Sequence, residues 1–327
     1  MRKFAFALAA LVILFSACKK SAAPSPQEEQ QAITQRSCGS YEHLQEQLKT
    51  DRSLKQRMDQ IELFTQRMIK SGRLDQTIGT IEIPVVVHVV YGNNAQNISD
   101  QQIQSQIEVL NEDFAANNRD IRNTPSLFKQ VTSAGFGIHF YIAEIKRVKT
   151  TVNSFNTTDK VKSTQRGGDD VIDPEHKLNI WVCNLGQSLL GYAQFPGGPP
   201  ETDGVVILYS AFGSRSKYPG GTYTSTYDLG RTATHEVGHW LNLLHIWGDD
   251  GSSCSGSDLV DDTPNQASLN FGCPSFPHVS CSNSGDMSMN YMDYTDDACM
   301  YMFTKGQQSR ALAVFEPGGP RASVAGN

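Results

Sequence analysis

The stretch from His235 to His245, H-E-V-G-H-W-L-N-L-L-H, constrains this chain more than any other. On a helix, His235 and His239 lie one turn apart on the same face, so both imidazoles can reach one metal ion. Glu236, beside the first histidine, can reach a water held by that metal. His245 follows six residues after His239, a spacing that does not return to the same face of a continuing helix. The chain must therefore bend near Asn242. Asn is, after Gly, a residue that tolerates the left-handed conformation a bend needs. Three neutral nitrogen ligands and one open position compose a catalytic zinc site rather than a closed structural one.

The other motifs must be placed around that site. The chain has 327 residues, enough for one large or two small domains with a sizeable core. Its net charge of -6 offers no basic surface for nucleic acid. Residues 1–18 read as an export signal: Arg2 and Lys3, then an apolar run from Phe4 to Phe15 too short for a stable membrane anchor. The run ends L-F-S-A-C, similar to a bacterial lipobox in which Cys18 is lipidated and becomes the mature N-terminus. Phe15 departs from the usual aliphatic residue, which leaves ordinary cleavage and full secretion open. Either route takes the chain out of the cytoplasm and permits disulfides. Residues 19–35 are polar and Pro-containing, and read as a flexible tether.

A segment spanning 36–75 follows. It opens R-S-C-G-S and continues with Leu44, Leu48, Leu54, Met58, Ile61, Phe64 and Met68 at roughly helical spacing. Cys38 has two readings: a thiolate that fills the open zinc position as a latency switch, or a free loop cysteine. Residues 71–80 read as a linker, with Lys70 and Arg73 as candidate sites of activating cleavage. The mature domain is expected over 80–317. Ile81 to Tyr91 is a β-branched run expected to be buried on both faces, with His88 a packed core histidine. Ser99 and its neighbours cap a helix to about Phe114. Strands are expected over 137–145, 178–182, 191–195 and 204–209, with Cys183 a buried free thiol. The metal helix is expected over 228–244. Strand, helix, then several strands make an α/β layout. Thr304 to Gln307 reads as a capping box that opens a last helix, ended by Pro317, with 318–327 a frayed tail.

Behind the metal motif, Asp249, Asp250, Asp258, Asp261 and Asp262 crowd one loop. Bound calcium would neutralise that charge; a solvated acidic loop is the alternative. Cys254, Cys273, Cys281 and Cys299 fit two disulfides, and spacing alone leaves three pairings open. Met292 lies between polar residues after a long loop, and Tyr294 two residues on has a hydroxyl that could bond an oxyanion.

Together, H-E-V-G-H-W-L-x-L-x-H, D-T-P, N-Y-M-D-Y and C-M-x-x-F-T-x-G-Q resemble the pappalysin family of metzincin zinc metallopeptidases, in its ulilysin-like bacterial branch. R-x-C-G and I-P-V-V-V-H-V-V resemble it too, and the likeness runs from about 36 to 315. Asn242 stands where the metzincin pattern has Gly. The resemblance implies a metzincin-type domain: a twisted mixed sheet, an active-site helix and a loop-rich, disulfide-braced C-terminal subdomain. It implies His235, His239 and His245 as zinc ligands, Glu236 as general base and acid, Met292 as the Met-turn residue and Tyr294 as a switching tyrosine. It further implies Cys254–Cys281 and Cys273–Cys299 disulfides, and calcium held by Ser257, Asp258, Asp261, Asp262 and Thr263. Asp297 lies where that branch places an acid in the S1′ pocket, which implies cleavage before Arg or Lys.

The expected protein is thus an exported zinc endopeptidase made as a latent, monomeric proenzyme. Its partners are protein or peptide substrates, and the membrane if Cys18 carries lipid, at the outer membrane or cell surface. The rivals are a silent surface lipoprotein that binds a partner, and a zinc amidase acting on small peptide or cell-wall substrates.

Overall fold

The β-branched run at Ile81–Tyr91 (β1) forms an interior strand of the sheet, paired on both sides, and residues 85–90 are buried. The structure is a computed structural model that describes residues 33–72, 74 and 79–326. The export signal, Cys18, most of the tether and Arg73 lie outside the described residues. β1 pairs in parallel with β2 (Ile138–Lys149) on one side and β3 (Leu178–Cys183) on the other. β4 (Gly191–Ala193) lies at the far edge, antiparallel to β5 (Val205–Leu208), which continues the parallel set beside β3. The order is β2-β1-β3-β5-β4, so the sheet is mixed and only its last pair is antiparallel. Parallel strands need cover on both faces, which explains the near-continuous apolar run in β1. His88 within it is a bonded core residue: its Nδ1 meets Asp169 at 2.7 Å, its Nε2 meets Asn179 at 2.9 Å, and its ring stacks on Trp181.

Two helices precede the sheet in the chain. α1 (Ser40–Thr50) and α2 (Leu54–Lys70) carry the helical pattern of the 36–75 segment, broken where Asp51 accepts from Ser53 N. Leu44 and Leu54 bury against Phe195, joined by Leu48, Met58 and Leu244. Glu62 pairs with Arg310 at 2.7 Å, and Arg57 donates to the Gly197 carbonyl. α3 (Asp100–Phe114) starts at the expected cap, where Ser99 Oγ accepts from Gln102 N, and buries Ile103, Ile107, Leu110 and Phe114.

The metal helix α4 runs only from Arg231 to Trp240, shorter than the 228–244 expected from its apolar residues. Gly230, at φ 86, precedes it. At its far end Leu243 N donates to the Gly238 carbonyl and Asn242 N to the His239 carbonyl, both at 2.9 Å, around Asn242 at φ 71. That is a Schellman termination, which Asn can occupy in place of Gly. Leu241, Leu243 and Leu244 continue the apolar pattern because the turn itself packs into the core.

Beyond Trp247 the chain runs mostly as loops, bridged by Cys254–Cys281 and Cys273–Cys299. Cys38 and Cys183 are free and buried. α5 (Lys305–Leu312) opens with the Thr304–Gln307 capping box and ends before Pro317, passing into a 3-10 turn over Ala313–Phe315. The expectation of a frayed end does not hold for 321–325. Arg321 is buried over the Trp240 ring, pairs with Asp203 at 2.8 Å and donates to the Trp240 carbonyl. The guanidinium finds both a carboxylate and an aromatic face, which composition near a terminus does not reveal.

Candidate metal and catalytic site

α4 sets His235 and His239 one turn apart, with their Nε2 atoms 3.1 Å from each other. The turn at Asn242 brings His245 back, with Nε2 3.1 Å from that of His239. Every Nδ1 faces an acceptor: the Tyr291 carbonyl at 2.7 Å for His235, the Leu243 carbonyl at 2.8 Å for His239, and Asp249 Oδ1 at 2.7 Å for His245. Each ring therefore carries its proton on Nδ1 and aims the Nε2 lone pair inward. Burial, and next the neighbouring histidines, hold His235 and His239 well below the usual imidazole range, so they stay neutral. Three lone pairs directed at one point repel unless a cation sits among them. Zn–N bonds of about 2.0–2.1 Å place tetrahedral neighbours roughly 3.4 Å apart, so this donor set fits zinc.

Cys38 joins them. Its Sγ and the three histidine nitrogens all lie within 4.8 Å of one another, the one such group of His, Cys, Asp and Glu among the described residues. Burial, and next the charge of Glu236, push its thiol well above the ordinary range. A metal among the four would reverse that, since a coordinating thiol is deprotonated. Cys38 is delivered by the edge strand. The 37–40 segment runs parallel to β4: Leu190 N donates to the Ser37 carbonyl and Gly39 N to the Gly191 carbonyl, both at 2.9 Å.

Glu236 is buried beside this group, and burial raises its carboxyl to about 7. Ser40 Oγ donates to Glu236 Oε2 at 2.8 Å while accepting from Ala193 N, and the Cys38 thiol donates to the same oxygen at 3.3 Å. Tyr294 closes the other side. Its hydroxyl donates to the Cys38 carbonyl at 3.2 Å and accepts from Cys38 N at 3.3 Å. Its ring meets the edges of His235 and His245. Met292 lies fully buried under α4. A Cβ on Gly238 would come 2.6 Å from its sulfur, so a larger residue there would displace the Met292 side chain.

Asp297 is buried at the N-terminal end of α4, where it accepts from Leu229 N at 2.8 Å and Arg231 N at 3.2 Å. Its other oxygen takes the Arg36 guanidinium at 2.6 Å. Arg36 also donates to Thr232 Oγ1 and the Thr295 carbonyl, and lies over the Tyr227 ring. The residues expected at calcium lie in a separate loop. Asp258 accepts from Thr263 Oγ1 at 2.9 Å; Asp262 Oδ2 accepts from Gly306 N, while its Oδ1 is buried without a partner.

Three contacts escaped the reading of the sequence: Arg36 on Asp297, Ser40 on Glu236 and Asp249 on His245. The first two join residues 196 or more positions apart, so no local pattern carries them. The third spans only four residues and depends on a turn that the apolar pattern hides.

The sequence model described as pregnancy-associated plasma protein-A matches residues 165–316. Extracellular metalloprotease 1 of Coccidioides posadasii is 34% identical over 259 residues, covering 75% of this chain and 81% of its own. The chain belongs to the pappalysin metallopeptidases. As a pappalysin it is a metalloendopeptidase of α/β, metzincin-type fold, with zinc as its cofactor and proteins or peptides as its substrates. Mature mirolysin of Tannerella forsythia in complex with a cleaved peptide is 52% identical, with TM-score 0.73, covering 76% of this chain and 97% of that one. A mutant of promirolysin from the same organism is 48% identical, with TM-score 0.79, covering 89% and 97%.

Proposed function

We propose that this pappalysin is exported as a latent proenzyme and, once its 36–75 segment is removed, cleaves proteins or peptides before Arg or Lys. The observation that carries this is the path of residues 36–40 along β4, with Cys38 at the three histidines and Arg36 on Asp297. The promirolysin structure matches 89% of this chain and the mature enzyme 76%, and a pro-segment of about 40 residues accounts for a difference of that size. The catalytic domain then spans about 80–317. The 1–18 signal, lipid on Cys18 and a monomeric state complete the reading.

His235, His239 and His245 hold the metal in this reading. Bound there, zinc supplies Lewis acidity that acidifies a water and polarises the scissile carbonyl. Glu236 takes the proton of that water and passes it to the leaving amine. Tyr294, freed from the Cys38 backbone, turns its hydroxyl to the developing oxyanion. Met292 holds the floor under α4. The β4 edge, released by residues 37–40, offers its unpaired groups to an extended peptide.

Arg36 stands in for a basic substrate side chain. Replacing Asp297 by Asn is expected to lower kcat/KM for cleavage before Arg by about 30-fold or more, the effect of removing one partner of a buried charge pair worth ~2–5 kcal/mol. A peptide library digested by the processed enzyme, with and without chelator, tests the reading. Cuts spread evenly over residue types, or cuts that persist in chelator, would refute it.

We also read calcium into the loop of Ser257, Asp258, Asp261, Asp262 and Thr263. The support is the partnerless buried Asp262 oxygen, together with the buried Asp258 carboxyl, which burial pushes up to about 7. A site filled to 100 times its Kd adds about 2.7 kcal/mol, so removing calcium with a selective chelator should lower Tm by roughly 5–10 °C. Identical melting curves with and without calcium would remove the ion from the scheme.

A further inference from the structure

We propose that Asp249 is a positioning residue of the metal centre: its carboxylate holds the His245 ring so that Nε2 faces the other two ligands and donates more strongly. This rests on the reading that the three histidines bind zinc.

The three rings are not held alike. His235 and His239 give their Nδ1 protons to neutral backbone carbonyls, whereas His245 gives its proton to a carboxylate, at 2.7 Å. A charged acceptor makes the stronger hydrogen bond and leaves the imidazole more basic at its other nitrogen. His245 also has the most need of support. The first two ligands ride on α4, but His245 lies past the helix end in the non-helical stretch that follows Asn242.

The chain is shaped to return Asp249 to that ring. Gly248 N donates to the His245 carbonyl at 2.9 Å, closing a turn. Gly248 and Asp249 are both left-handed, at φ 78 and φ 55. A Cβ on Gly248 would come 2.2 Å from Ser257 N, so only glycine fits there. Asp249 shares that left-handed conformation, which Asp and Asn reach more readily than other side chains. Trp247 lies between His245 and Asp249 in sequence, and its ring stacks on His245 with centroids 4.4 Å apart and planes 8° apart. Trp247 sets the plane of the imidazole, and Asp249 sets its rotation within that plane.

The test is zinc affinity of the full chain, measured by competition with a chelator of known strength, alongside the visible spectrum of the cobalt-loaded chain. Asp249→Ala should weaken zinc binding about 10- to 100-fold and shift the cobalt bands. Asp249→Asn keeps an oxygen facing Nδ1 but loses the charge, and should fall between Ala and the parent. The metal-free Asp249→Asn chain should melt near the parent, whereas Asp249→Ala, which leaves the buried Nδ1 proton without an acceptor, should melt lower. Zinc affinity of Asp249→Ala within about threefold of the parent, with an unchanged cobalt spectrum, overturns the proposal. So does lower metal-free melting with unaltered affinity, which would make Asp249 a loop residue only. Should the Ala variant fail to fold, parent-like affinity in Asp249→Asn overturns it equally. His245→Ala separates the two levels: if that variant binds zinc as the parent does, the histidine reading itself fails, whatever Asp249 does.

Discussion

Glu236→Gln is expected to lower proteolysis by about a thousandfold while zinc content stays at one ion per chain. General acid–base catalysis contributes about 10²- to 10⁴-fold, and in the proposed mechanism one carboxylate serves both halves of the cycle. Gln keeps the shape and the hydrogen-bonding oxygen but cannot take a proton. Glu236 is outside the group formed by Cys38 and the three histidines, so the metal should remain. Peptide cleavage by the processed variant, read beside metal analysis, decides the matter. Turnover near the parent rate would refute the assigned role. Loss of zinc along with activity would move Glu236 from the chemistry to the scaffold.

The second large effect concerns latency. Full-length chains carrying Cys38→Ala should cleave peptide about tenfold faster than the intact proenzyme, and Cys38→Ala with Arg36→Ala faster again. The reason for a graded release is the number of anchors. Cys38 lies at the histidines, Arg36 pairs with Asp297 at 2.6 Å, Ser40 donates to Glu236 at 2.8 Å, and two backbone bonds tie 37–39 to the β4 edge. Removing one partner of a buried pair costs several kcal/mol, yet the rest of the segment stays docked. Ser40 adds a feature of its own: it donates directly to Glu236 at 2.8 Å, so in the proposed reading the segment blocks the base as well as the metal position. A full-length Cys38→Ala chain as silent as the parent, beside an active Arg36→Ala chain, would show that the guanidinium and not the thiol closes the cleft.

How far the molecule is legible in its sequence differs by region. β1 is legible because a β-branched run needs burial on both faces, and only the middle of a parallel sheet offers it. The starts of α3 and α5 are legible because Ser99 and Thr304 meet their partners within three residues. The length of α4 is not. Its apolar pattern runs on through Leu244, and the stop lies in a backbone turn that apolar spacing does not encode. The end of the chain misleads for a similar reason, since Arg321 finds Asp203 from 118 positions away.

The local order of residues by itself determined the chemistry on offer: two imidazoles one turn apart, a carboxylate between them, a third imidazole past a bend, and a thiol after an arginine far upstream. Those follow from side-chain type and helical pitch, which need no tertiary information. The tertiary structure alone decided what each group faces. It placed Arg36 on Asp297, Ser40 on Glu236 and Tyr294 on the Cys38 backbone, contacts made across the cleft by segments whose separation in sequence carries no spatial meaning. It also decided that Asp249 turns back to His245, because two left-handed residues in succession reverse the chain, with the backbone of Ser257 so close to Gly248 that no side chain fits there.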